Sequence, residues 1–173
     1  DCKRRSFDYY ETVTTHDSSL SACVFGILAS EVGHAGKAWR YFNDSLRVDL
    51  DDLHRNTGHG VHMAAMAGSW LGLVQGFAGM RVRDGGLTFA PTLPDAWSGY
   101  AFSLSWRGRR LRLSVDANGT CYELLQGPAL AVQHGDEALL LEPGKPRTVA
   151  VGTRRAATHP ARVFPRACQA VIF

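Results

Sequence analysis

The chain has 173 residues, 45% of them hydrophobic and 20% charged, with a formal net charge of +3. A length of this order buries about 70% of the unfolded surface, and the composition excludes a disordered tail, a collagen-like repeat and a disulfide-built miniprotein. The charge is too small to point to nucleic acid, and no apolar run reaches membrane length.

The chain opens Asp-Cys-Lys-Arg-Arg-Ser, without an initiator Met and without an apolar stretch behind the basic residues, so it does not read as a secretory leader. Cys2, Cys23, Cys121 and Cys168 are widely spaced with no C-x-x-C pair and are read as free thiols. Residues 17–78 carry helical signals. Asp17-Ser18-Ser19 are three N-cap types ahead of Leu20, Cys23, Val24, Ile27, Leu28 and Val32, apolar residues three and four apart. Gly33 and Gly36 bracket a break. A second helix then carries Trp39, Phe42 and Leu46 on one face and runs towards the acidic stretch 49–52. After a turn at Asn56-Thr57-Gly58, a third helix over Val61 to Phe77 is lined by Ala64, Ala65, Ala67, Gly68, Gly72 and Gly76. Such small residues cost helix propensity but allow close backbone approach, so this helix is expected to be surrounded.

From Gly79 the period changes from helical to strand-like. Short runs at 87–90, 102–106, 111–115, 122–125, 129–132, 138–141 and 148–151 alternate with turn formers such as Asp84-Gly85-Gly86, Asn118-Gly119 and Pro143-Gly144. That spacing predicts an antiparallel sandwich. Residues 152–167 read as a linker rich in Arg, Ala and Pro, and the last six, Cys168-Gln-Ala-Val-Ile-Phe, turn apolar again.

Two polar clusters could hold an anion. His16-Asp17-Ser18-Ser19 offers hydroxyls and free N–H groups at a predicted helix start, or simply caps it. Asn56-Thr57-Gly58-His59-Gly60-Val61-His62 opens the small-residue helix and reads as a phosphate donor, a zinc ligand pair or a capping histidine. The zinc reading is weak because His59 and His62 are three apart and no Cys or carboxylate stands at suitable spacing. Trp70, Trp97 and Trp106 are assigned to the core, and Asp49, Asp51 and Asp52 to a solvated surface rather than a general-base cluster.

Tyr10-Glu-Thr-Val-Thr-Thr-His-Asp-Ser-Ser-Leu-Ser, then Asp49-Leu-Asp-Asp, Asn56-Thr to His62, Ala67-Gly-Ser-Trp and Gly76-Phe-Ala-Gly-Met stand in an order and spacing that resembles the closing part of glycoside hydrolase family 65. Leu87-Thr-Phe-Ala-Pro-Thr-Leu-Pro-Asp-Ala-Trp and Phe102-Ser-Leu-Ser-Trp-Arg-Gly extend the resemblance to about residue 151. This family contains maltose, kojibiose and trehalose phosphorylases. The resemblance implies an α+β chain: the last helices of an (α/α)6 barrel (residues 1–78) followed by a small antiparallel β-sandwich (79–152), with a linker at 153–167. It also implies a cytoplasmic enzyme without a cofactor that uses inorganic phosphate as co-substrate on a disaccharide. Neither nucleic acid nor membrane is an expected partner, and a homodimer is left open.

By the same resemblance Ser18, Ser19 and His62 correspond to phosphate-binding positions. The family commonly has an acidic residue beside, or two before, the glycine of Gly-hydrophobic-His, where this chain has His59 and Gly58. The family's general acid and its sugar-binding Lys-Gln motif belong to an earlier part of the barrel, so no catalytic acid is assigned here. Gln169-Ala-Val-Ile-Phe resembles the first strand of a haloacid-dehalogenase-type mutase, so the chain is expected to be a slice of a longer fusion whose β-phosphoglucomutase consumes the product. Two rival readings stand beside this one. An inverting α-glucosidase or trehalase would need a carboxylate near the serine loop, with Glu11 and Asp17 as candidates. A non-catalytic structural unit would have no activity of its own.

Overall fold

A computed structural model describes residues 2–150, and the architecture is α+β. Four helices come first: α1 (Cys2–Val13), α2 (Ser21–Val32), α3 (Ala35–Arg47) and α4 (Met63–Leu71), the last continuing into a π-helical segment, Gly72–Phe77. Eight strands follow: β1 (Arg81–Arg83), β2 (Gly86–Phe89), β3 (Gly99–Trp106), β4 (Arg109–Asp116), β5 (Gly119–Gln126), β6 (Leu130–His134), β7 (Glu137–Leu141) and β8 (Arg147–Val149). The predicted linker, Cys168 and the apolar end segment 168–173 lie outside the described residues.

Periodicity does not predict α1, because Phe7 is its one buried side chain and leaves no apolar stripe. Polar links dock it instead: Lys3 pairs with Glu31, and the Arg4 guanidinium donates to the Val32 carbonyl. Helix α2 begins four residues later than the Asp17 cluster suggests. Its N-cap is Leu20, without a side-chain cap, and Ser18 takes the Ser21 N–H on its carbonyl and the Leu20 N–H on its hydroxyl. The serines therefore form a turn in front of the helix. At the other end Gly33 adopts φ 85° and donates its N–H to the Ala29 and Ser30 carbonyls, a left-handed closure that a side chain would strain.

Small residues in α4 have the predicted effect on one side. A Cβ at Gly68 would stand 2.8 Å from that of Cys23, so only glycine lets α4 come this close to α2. The Cys23 thiol donates to the Gly68 carbonyl at this contact, the Ser30 hydroxyl of α2 to the Gly76 carbonyl of the π-helical segment, and the Ser45 hydroxyl of α3 to the Ala65 carbonyl of α4. Among the described residues the other side of α4 is uncovered: Val61, Met63, Met66 and Trp70 are exposed, which corrects the reading of a helix surrounded all round. Trp70 is 47% exposed and meets Phe102 edge-on, so it is not a core residue. Leu46 likewise leaves the predicted face of α3, whose buried residues are Ala38, Tyr41, Phe42 and Ser45.

The sandwich holds two four-stranded sheets, ordered β1-β2-β6-β7 and β3-β4-β5-β8. Every pairing of named strands is antiparallel except β2 with β6, which is parallel because the chain passes through the β3-β4-β5 meander of the other sheet before returning. Strand β1 escapes the alternation pattern, since Arg81-Val82-Arg83 buries none of its side chains. Leu87, Phe89, Leu111, Leu113, Tyr122, Leu124, Leu139 and Leu141 fill the space between the sheets. Burial of each is worth about 1.5–3 kcal/mol.

The helical and β cores meet at the π-helical segment. There the Ala78 N–H reaches back five residues to the Leu73 carbonyl at 2.9 Å. Val74 and Ala78 belong to the sandwich core, whereas Phe77 packs with Phe7, Ala29, Val32, Ala38 and Phe42. Trp97, from the segment between β2 and β3, lies 5.3–5.4 Å from Trp39, Phe42 and Phe77 and seals this junction as the core residue expected of it. Trp106 is half-buried against the sandwich core.

Candidate functional site

The loop between α1 and α2 carries the first polar cluster. His16 adopts φ 60°, and both ring nitrogens are held. Its Nδ1 lies 2.7 Å from the Ser21 hydroxyl and its Nε2 lies 3.1 Å from the Tyr41 hydroxyl, which in turn donates to Glu11 at 3.2 Å. With the Tyr41 proton directed at Glu11, Nε2–H must donate to Tyr41 and the Ser21 hydroxyl to Nδ1. This chain of bonds holds the residue just before Asp17 and Ser18, both of which are exposed.

Glu11 is fully engaged in that network. It also accepts from Lys37 at 2.7 Å and Arg40 at 3.5 Å, and the Lys37 ammonium holds its carboxyl below the usual range. Burial of the Tyr41 hydroxyl pushes its proton affinity up. Asp17 is exposed.

The loop between α3 and α4 carries the second cluster. Its acids, read from sequence as a solvated surface, do three separate tasks. Asp51 pairs bidentately with Arg47, with both bonds at 2.6 Å. Asp52, itself at φ 47°, accepts the backbone N–H groups of Asn56 (2.9 Å) and Thr57 (3.1 Å), and these bonds hold its carboxyl below the usual range. Asp49 takes the His62 backbone N–H on one oxygen at 2.9 Å and the His62 Nδ1–H on the other at 2.5 Å. The imidazole contact keeps the Asp49 carboxyl ionised below its ordinary range. Of the five non-glycine residues at positive φ among the described residues, three (His16, Asp52 and Arg55) lie in these two loops. Backbone strain of this kind concentrates where a site is pre-organised.

The loops converge on one open depression of about 170 Å³, walled by His16, Ser18, Ser19, Tyr41, Asp44 and His54 among others. Ser18 and Ser19 both line it, in a turn rather than at a helix cap. His62 lies one ring behind: its centroid is 5.9 Å from that of His54, and its Nε2 is 3.3 Å from the Asn56 amide nitrogen. Asn56 Oδ1 is buried with no partner among the described residues. His59 is exposed on the short 3₁₀ turn Thr57–His59. Among the described residues no three His, Cys, Asp or Glu side chains gather as a metal site. A second hollow, between α2, α3 and α4, holds about 10 Å³, at most one water.

Sequence reasoning named His16 only as part of the cluster that ends in Ser19, and it missed His54, Tyr41 and the pairing of Asp49 with His62. Only the position of Asp49, just past the end of α3, hinted that it faces the start of α4.

Comparison with known proteins places this arrangement. Residues 1–71 match the family described as glycosyl hydrolase family 65 central catalytic domain, and residues 80–141 match glycosyl hydrolase family 65, C-terminal domain. The chain belongs to glycosyl hydrolase family 65. Its helices are therefore the closing helices of the family's helical catalytic barrel, followed by the family's β-sandwich. The chain is 48% identical over 130 residues to the α,α-trehalose phosphorylase of Geobacillus stearothermophilus, covering 75% of this chain and 17% of that protein. It is 41% identical over 140 residues to the maltose phosphorylase of Bacillus subtilis (strain 168), covering 81% of this chain and 18% of that protein. A solved structure described as "Putative kojibiose phosphorylase from human microbiome" superposes with a TM-score of 0.77 at 30% identity, over 83% of this chain and 21% of that one. This family 65 chain thus spans about a fifth of the length of the relatives it matches.

Proposed function

We propose that this chain supplies the phosphate side of the active site of an enzyme that cleaves an α-linked glucose disaccharide by inverting phosphorolysis, yielding β-glucose 1-phosphate. The observation that carries the reading is the convergence of the Ser18-Ser19 turn and His54 on one open depression, with the His62 ring 5.9 Å from that of His54, in a family whose relatives include trehalose and maltose phosphorylases. In this reading inorganic phosphate attacks the anomeric carbon directly. It stands where an inverting hydrolase has a base-activated water, so a second carboxylate is not needed. Ser18 and Ser19 donate hydroxyl hydrogen bonds to the anion and His62 donates from its ring, a positioning role rather than proton transfer to the sugar. The acid that protonates the leaving oxygen lies outside this chain, which is inactive alone, and neither cofactor nor metal takes part. The enzyme is cytoplasmic, and the barrel ends and the sandwich begins between residues 78 and 79.

The rival hydrolase would need a free carboxylate beside the serine turn. Glu11 is spent on Lys37, Arg40 and Tyr41, whereas Asp17 is exposed and Asp44 walls the depression, so the phosphate dependence of cleavage separates the two readings. The expected outcome in the complete protein is that His62→Ala raises the KM for phosphate about 10- to 100-fold, the range of a lost hydrogen bond to a charged group, and leaves the disaccharide KM within about twofold. Steady-state rates over both concentrations check this. Equal losses in both constants, or disaccharide cleavage without phosphate, would remove the assignment.

A further inference from the structure

We propose that Asp49 is a positioning residue for His62, selecting which imidazole nitrogen faces the anion; this rests on the phosphate-binding reading of His62. One carboxylate grips one residue twice. Its Oδ2 takes the His62 backbone N–H at 2.9 Å and its Oδ1 takes the ring Nδ1–H at 2.5 Å. The first bond fixes the Cα of His62 at the entry to α4 and the second fixes its ring. An ionised carboxylate only accepts, so the proton must sit on Nδ1, and in the neutral ring Nε2 is left as the free lone pair. Asn56 Nδ2–H meets that lone pair at a long 3.3 Å.

Asn56 is a weak occupant of this place. Its Oδ1 is buried without a partner among the described residues, so the amide is only half satisfied where it stands. Dihydrogen phosphate that passes one of its protons to Nε2 becomes the dianion and turns Nε2 into a donor, and the Asn56 N–H can no longer face it. Asp49 then offsets the imidazolium charge while the anion replaces Asn56 at Nε2. The neighbouring acids are not interchangeable with Asp49, because Asp51 is committed to Arg47 and Asp52 to the backbone of Asn56 and Thr57.

The test uses the complete protein with inorganic phosphate and whichever of trehalose, maltose or kojibiose it turns over. Asp49→Asn keeps an acceptor for the backbone N–H but loses the charge. It is expected to raise the KM for phosphate about tenfold, to leave the disaccharide KM within about twofold, and to add nothing in a His62→Ala background. In the unmodified protein, nitrogen-15 spectra of labelled histidine are expected to show neutral His62 with Nδ1 protonated and Nε2 bare, a readout that stands even if the variant fails to fold. An Nε2–H tautomer overturns the proposal. So does an unchanged phosphate KM in Asp49→Asn when His62→Ala raises it, which leaves the phosphate site itself standing. A parallel rise of both constants with a lowered melting temperature reduces Asp49 to a loop closure and overturns it too. If His62→Ala itself leaves the phosphate KM unchanged, the underlying reading fails with it.

Discussion

Thr120, on β5, has no exposed surface, and its hydroxyl has no hydrogen-bond partner among the described residues. An orphaned buried hydroxyl costs about 1–3 kcal/mol, and valine has nearly the same shape with stronger strand preference. Thr120→Val is therefore expected to stabilise the protein by about 1 kcal/mol, read as a raised denaturation midpoint at unchanged slope. At this scale the site was partly legible. The clusters around Ser18, Ser19 and His62 stood out because hydroxyls, glycines and a histidine gather before apolar runs, but a phosphate role for these three residues came only from the family resemblance. Asp49 did not, because its partner is 13 residues away and nothing in the local pattern separates it from Asp51, which only pairs along its own turn. Tyr41 was hidden for a related reason: it occupies a core position of α3 and shows its function only through the hydroxyl that reaches His16.

Strands β5 and β6 share a buried polar contact that makes the sandwich sensitive to acid. The Tyr122 hydroxyl lies 2.8 Å from His134 Nδ1, with the rings 5.8 Å apart and edge-on. Burial lowers the proton affinity of His134 below the usual 6.5, only partly opposed by Glu137, and burial raises that of Tyr122 far above 10. Between the folded and unfolded values of His134 the unfolded chain binds more protons, so stability rises with pH through that window and is lost as pH falls from about 6.5. The denaturation midpoint is expected to be lower at pH 5.5 than at pH 7.5, and His134→Gln should flatten the difference. Elements with a regular period were the readable ones. Seven of the eight strands follow predicted alternating runs, because Asn118-Gly119 and similar pairs mark the turns and one face is dry. Helix α1 and strand β1 lacked that contrast. Their attachment is by Lys3, Arg4 and Arg81, whose partners Glu31 and the Val32 and Gln75 carbonyls lie on other elements.

For the whole molecule, the two halves are not independent weights on a string. Phe77 sits in the helical core while Val74, three residues earlier, sits in the sandwich core. Phe77→Ala is expected to cost about 3–5 kcal/mol, the usual range for a buried phenylalanine, and to lower the helical and β signals together in a single thermal transition. Separate melting of far-ultraviolet helix and near-ultraviolet tryptophan signals would contradict that coupling. The parallel contact between β2 and β6 also belongs to this scale: it depends on where the chain travels between them, which no local pattern records.

The π-helical segment has a practical consequence for anyone recombining relatives of this protein. Sequence places a border near residue 79, where helices give way to strands, and an exchange of sandwiches would naturally be spliced there. Such a splice would divide Val74 from the cavity it fills and Ala78 from Leu87 and its neighbours. A transplant that keeps its own residues 72–80 carries its socket with it. The inheritable unit of the second half therefore starts inside the last turn of the first.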